Sequence, residues 1–168
     1  MSATINSFSQ ERNFRTRIAQ DADVGAVAQL INAAFIVERV AFDGDRIDAR
    51  GVGELVKNGA FLLAEDVVGL AGCVYIETRG ERSYLGLLSV DPSRQGTGLG
   101  RRLVVAAEEY ARGAGCNTMD LRIISPRAES LLPFYQHLGY RQTGTASFSS
   151  DVKPKVPCHY ITMSKALI

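Results

Sequence analysis

The chain contains no tryptophan, two histidines and three cysteines, and its net charge is only +1. Each scarcity removes a class of function. His137 and His159 stand apart from any cysteine or carboxylate at ligand spacing, so the sequence predicts no metal centre. Cys73, Cys116 and Cys158 are odd in number, dispersed and without a C-x-x-C pair, which predicts reduced thiols and a cytoplasmic location. A near-neutral charge balance lacks the concentrated basic field that nucleic acid or an anionic membrane surface demands. No apolar run reaches membrane-spanning length. The opening stretch MSATINSFSQERNFR has no apolar core of a secretory signal, and residues 1–12 are expected to fray. With 46% hydrophobic and 22% charged residues, the composition predicts one globular domain across residues 1–168 and leaves a homodimer open.

What the chain does have is concentrated between Val90 and Arg102, where VDPSRQGTGLGRR packs three glycines and three arginines into one turn. Before it, Tyr84 to Val90 is nearly all apolar and reads as a central strand buried on both faces. After it, Leu99, Leu103, Ala106, Ala107 and Tyr110 recur at helical spacing over residues 99–113. The join is therefore strand, glycine-rich turn, helix. A helix start leaves backbone N–H groups unpartnered and carries a partial positive charge. Gly96, Gly98 and Gly100 clear the approach, so these N–H groups can converge on an anion. Arg101 and Arg102 at the same helix start are unfavourable by a few tenths of a kcal/mol each unless an anion binds there. The plain alternative is a connection tightened for packing. Two other phosphate motifs fail: the P-loop needs a lysine followed by Ser/Thr after its last glycine, and the dinucleotide fingerprint needs a glycine where Arg101 stands.

The remaining chain supplies the scaffold. Phe14 to Ile18 alternates as a strand, and a helix capped by Asp21 or Asp23 runs to about Phe35. Ile36 to Gly59 is a charged stretch with a short helix near Val52 to Lys57, either a lid or a disordered excursion, with a solvated connector as the plain alternative. Strands follow over Ala60 to Glu65 and Val68 to Thr78. Beyond the central strand and its helix, Thr118 to Ser125 is a strand that must run parallel to Tyr84 to Val90, because a helix intervenes. A helix from about Ala128 to Leu138 ends at Gly139, and Pro133 requires it to start late or kink. Tyr140 starts another strand, and His159 to Met163 reads as the last.

Gln95, Gly98 and Gly100 fit the pattern Q/R-x-x-G-x-G/A, and Phe134 to Tyr140 (FYQHLGY) fits F/L-Y-x-x-x-G-F/Y. Together with the order β-α-α-β-β-β-α-β-α-β-β, the chain resembles the GNAT family of N-acetyltransferases along nearly its whole length. The resemblance implies an α/β fold: a twisted mixed sheet of about seven strands flanked by about four helices. It also implies an acetyl group moved from acetyl-CoA directly to a primary amine of a small molecule or peptide.

In those terms the backbone of Leu88, Ser89 and Val90 would meet the pantetheine and carbonyl. Arg94, Gln95, Gly96, Thr97, Gly98, Leu99, Gly100, Arg101 and Arg102 would form the pyrophosphate loop. The parallel strands would splay to admit the pantetheine arm. Tyr135 would protonate the departing thiolate, although by composition alone it is an ordinary core tyrosine. The central strand lacks the glutamate that many relatives use as base, leaving Glu38, Glu77, Glu81, His159 or water. Ala128 stands where many relatives carry asparagine, with Arg127 beside it. A non-catalytic acyl-CoA-binding module remains the rival reading.

Overall fold

The computed structural model describes residues 13–168, and the fraying expected of residues 1–12 lies outside them. Seven strands alternate with four helices in the expected order. They are β1 (Arg15–Ile18), α1 (Val24–Ala34), α2 (Ala49–Val56), β2 (Ala60–Glu65), β3 (Leu70–Arg79), β4 (Arg82–Val90), α3 (Leu99–Gly113), β5 (Thr118–Ile124), α4 (Ala128–His137), β6 (Arg141–Ser147) and β7 (His159–Ala166). One sheet runs β1-β2-β3-β4-β5-β7-β6, antiparallel except where β4 meets β5.

The sheet is covered on both faces, and β2 shows why. Phe61 and Leu63 point to the side packed by Val27, Leu30, Ile31 of α1 and Val52 of α2. Leu62 and Ala64 point to the other side, where Leu99, Leu103, Val104 and Ala107 of α3 and Tyr135 of α4 lie. An unbroken apolar run is what two buried faces demand. The fit is close: a Cβ on Gly72 of β3 would stand 2.8 Å from a Leu103 methyl and 3.0 Å from the Ser89 carbonyl. Leu103 is fully buried, so Leu103→Ala would cost about 2–5 kcal/mol.

Local chemistry moves several boundaries. β3 begins at Leu70 rather than Val68, because the Asp66 carboxylate accepts from the N–H groups of Val68 and Gly69 and builds a turn. α2 starts earlier than expected, at Ala49, where the Asp48 carboxylate caps the Gly51 N–H at 2.7 Å. α4 runs through Pro133. The proline removes a bond to the Glu129 carbonyl alone, and Glu129 is exposed in the first turn, where water can replace the donor. β7 extends to Ala166 because it pairs with β5 along its length.

The stretch after α1 is a built wall and not a solvated connector. Asn32 of α1 accepts from the N–H groups of Arg46 and Ile47 and donates to the Ile47 carbonyl. From the far end of the chain, the Lys155 N–H donates to the Ala41 carbonyl at 2.7 Å, and Phe148 stacks against Phe42 at 5.3 Å. This wall closes one side of the sheet's open end.

Candidate active site

The opening in the sheet originates in β4. Tyr75 pairs with Gly86 and Cys73 with Ser89, so Leu87 and Leu88 together oppose Val74. Leu87 takes φ 50°, which costs a residue with a side chain about 1–3 kcal/mol. Such a bulge bends its strand and sharpens the twist. The parallel ladder accordingly ends after three registers, Arg82↔Thr118, Ser83↔Met119 and Tyr84↔Asp120. β5 stays with β7 as far as Ile124↔Tyr160. From Leu85 onward β4 has no β5 partner, and a wedge opens between the strands into a cavity of about 550 Å³. Leu87, Leu88, Leu121, Ile123, Leu131 and Tyr135 line its inner part. The splay is the arrangement that the family resemblance implies, but its cause was hidden: Leu87 is an unexceptional strand residue, and only its neighbour Gly86 hints at a bulge.

At the mouth of the wedge lies the glycine loop. Gly96 and Gly98 both take φ 79°, and Gly98 is the residue before α3. None of the backbone N–H groups of residues 95–101 donates to a group among the described residues. They form an exposed cradle at a helix start, suited to a polyanion. Gly100 serves a different purpose, since its ideal Cβ would sit 3.5 Å from the Phe134 ring and 3.8 Å from Val90. It lets α3 approach α4.

Several predicted loop side chains are structural. The Arg94 guanidinium is buried and grips Asp66 through two bonds of 2.9 and 3.0 Å. The Thr97 hydroxyl donates to the Arg94 carbonyl at 2.6 Å, and the Ser89 hydroxyl to the Leu87 carbonyl at 3.0 Å. Leu99 is core, and the Arg102 guanidinium lies 5.3 Å from the Phe14 ring. Arg101 is exposed and Val90 half-buried. Of the expected donor-site side chains, Leu88 and Gln95 border the cavity together with Tyr135; the others can contribute through backbone or field.

Tyr135 rises from α4 into the cavity, its ring set edge-on to Phe134 at 4.9 Å and Tyr140 at 5.7 Å. Its phenol donates to no group among the described residues. Burial pushes its pKa upward, with a smaller push from Tyr84, so it stays protonated. Four base candidates separate cleanly by position. Glu81 sits exposed in the β3–β4 turn and His159 exposed at the start of β7, and neither lines the cavity. Glu77 lines it, but Arg79 at 2.9 Å and the Tyr75 hydroxyl at 2.9 Å hold its pKa below the usual carboxylate range. Glu38 also lines it, and there burial raises the pKa against the opposing pull of Arg46 and Arg127. A raised, unbonded carboxylate is the stronger proton acceptor.

Beyond these groups the outer wall carries Arg127 and an aromatic and cationic set that the sequence did not flag. The Arg122 guanidinium lies 4.1 Å from the Tyr160 ring and 5.9 Å from Tyr84, and Arg79 lies 5.0 Å from Tyr84. These residues come from β3, β4, β5 and β7, so no local motif announces them.

A model of the acetyltransferase (GNAT) family matches residues 26–140. Glucosamine 6-phosphate N-acetyltransferase of Trypanosoma brucei brucei is 39% identical over 66 residues, which are 38% of this chain and 42% of that protein. The chain thus aligns with less than half of that curated relative. A GNAT-family protein from Desulfovibrio desulfuricans superposes with TM-score 0.76 at 16% identity, over 93% of this chain and 100% of that one. A Salmonella typhimurium protein whose structure holds acetyl-CoA superposes with TM-score 0.70 at 21% identity, over 93% and 95% of the two chains. No helix among the described residues is long and apolar enough to cross a membrane.

Proposed function

The chain belongs to the GNAT acetyltransferase family, and from that premise we propose that it is an N-acetyltransferase that moves an acetyl group from acetyl-CoA directly to a primary amine of a small molecule or peptide. The observation that carries this reading is the wedge between β4 and β5, which joins an N–H cradle without partners among the described residues at one end to a buried phenol at its side. A pantetheine arm is long, thin and rich in amides. The partnerless edge of β4 offers it backbone groups, and Leu87, Leu88, Leu121 and Ile123 offer apolar walls.

The cradle of residues 95–101 binds the pyrophosphate, with Arg101 adding positive field at the helix start. Glu38 takes a proton from the acceptor ammonium, directly or through water, leaving a nucleophilic lone pair. The amine nitrogen bonds to the thioester carbonyl carbon, whose oxygen is polarised by backbone N–H of the bulged strand. The carbon–sulfur bond then breaks, and Tyr135 gives its proton to the departing thiolate. A phenol held protonated by burial suits that last role, since it is never lost to solvent titration near neutral pH.

The test is a thiol-release assay with acetyl-CoA across an amine panel, with N-acetylated product identified by mass spectrometry. Transfer to at least one amine is expected. Tight CoA binding without transfer to any amine would replace this reading with that of a non-catalytic acyl-CoA-binding module.

A further inference from the structure

The outer half of the cavity has an unbalanced set of charges. Arg39 pairs with Asp45 at 3.3 Å, Arg79 with Glu77 at 2.9 Å, and Asp43 with Lys155 at 3.0 Å. Those pairs are internally neutral. Arg46, Arg122 and Arg127 also line the cavity and form no ion pair among the described residues. Against them stands Glu38, which feels Arg46 and Arg127 without contacting either.

Arg46 and Arg122 also share a second, more open recess bordered by Phe148, Ser149, Ser150, Asp151 and Tyr160. It therefore holds two guanidinium groups against one exposed carboxylate, with serine hydroxyls beside them. Arg122 is held in plane by the rings of Tyr160 and Tyr84. Stacking occupies the faces of a guanidinium and leaves the N–H donors on its edge for a planar or tetrahedral anion. The wall that carries Arg46 is fixed by Asn32, so the two cations are brought together by ordered backbone.

We propose that Arg46 and Arg122 form an anion subsite for the acceptor, so that the substrate is a primary amine carrying a phosphate or a carboxylate. This rests on the acetyltransferase reading above. The charge layout matches such a molecule: its ammonium faces Glu38 in the cavity, and its anion reaches the recess that Arg46 and Arg122 share.

Matched pairs test it on the full chain: an amino sugar phosphate against the unphosphorylated amino sugar, and an α-amino acid against its decarboxylated amine. Transfer rates and calorimetric binding are both measured. The anionic member is expected to win by about 30-fold or more in kcat/KM, chiefly through KM, and to bind more tightly. Which pair shows the preference identifies the anion. In Arg46→Gln/Arg122→Gln the ratio should fall to within about threefold, and Arg122→Lys should recover part of it by restoring charge without the planar fork. Wild-type enzyme indifferent to the anion, or a double variant that keeps the ratio, would overturn the subsite. If no amine is acetylated yet calorimetry still records arginine-dependent preference, the subsite stands and the catalytic reading fails.

Discussion

The two ends of the cavity are made of different materials. The proposed donor end is built from backbone: the N–H groups of residues 95–101, the bulge at Leu87 and the edge of β4 that leaves β5 after Tyr84. The acceptor end is built from side chains contributed by the 35–48 stretch, by β3 and β5, and by β7 with the loop before it. A backbone site must recruit glycine at closely spaced positions, since a cradle needs both φ freedom and clearance, and so it leaves a dense local signature. A side-chain site needs only that remote positions meet in space. That contrast predicts how each end breaks. Backbone function is lost by adding something, whereas side-chain function is lost by removing something.

The sharpest test adds bulk and charge at the donor end. Gly98 takes φ 79° with open space around its missing Cβ, so the substitution Gly98→Glu meets no neighbour. Its left-handed backbone costs about 1–2 kcal/mol, which a domain of this size can absorb. The added carboxylate, however, stands in the cradle proposed to hold phosphates. CoA affinity should fall by about 100-fold or more while the far-ultraviolet dichroism stays native. Unchanged affinity in the folded variant would dissolve the cradle assignment.

Removing one atom tests the middle of the cavity. Tyr135→Phe deletes a phenol oxygen that bonds nothing among the described residues, so packing and melting temperature should change little. If Tyr135 protonates the thiolate, kcat should fall by about 10- to 100-fold with the KM for acetyl-CoA within about twofold. Equal turnover by the variant would leave Tyr135 as a core residue set against Phe134 and Tyr140.

At the acceptor end, Glu38→Gln removes a carboxylate whose pKa is raised by burial. A base must be ionised to act, so wild-type kcat/KM should drop as pH falls through that raised pKa. The variant should be about tenfold slower at neutral pH and should lose this acid limb. An unchanged limb in Glu38→Gln would hand the proton to water or to Glu77.

The same contrast explains what could be read from the sequence. The element order and the two-layer burial follow from periodicities such as Phe61 to Ala64 and from the glycine run, which are local, whereas the splay was implied only by the family resemblance. Glu38 could be named as one base among several, but not separated from Glu81 and His159, because exposure and cavity lining depend on tertiary position. The side chain of Arg94 was unreadable for a related reason. Its place beside the glycines suggests an anion ligand, yet its partner Asp66 lies 28 residues away in the β2–β3 turn. The Leu87 bulge was invisible because its strain is imposed by neighbouring strands and not by its own side chain.

Asp66 supplies the smallest effect and the finest discrimination. It ties the β2–β3 turn to the loop through Arg94, and that guanidinium, first among several hydrogen bonds, holds its pKa down at about 2. A carboxyl group depressed in the folded state stabilises the protein fully above its unfolded pKa of about 4. That contribution fades as pH falls from about 4 toward 2, where both states become protonated. Asp66→Asn should therefore melt below wild type at neutral pH, and the gap should close across this acid window. CoA affinity should weaken by only about threefold, because the N–H groups themselves remain and only the support behind Arg94 loosens. A melting gap that stays constant from neutral pH to pH 2 would mean that Asp66 acts through the turn it builds with Val68 and Gly69 and not through its charge, and the donor end would then owe its order to backbone alone.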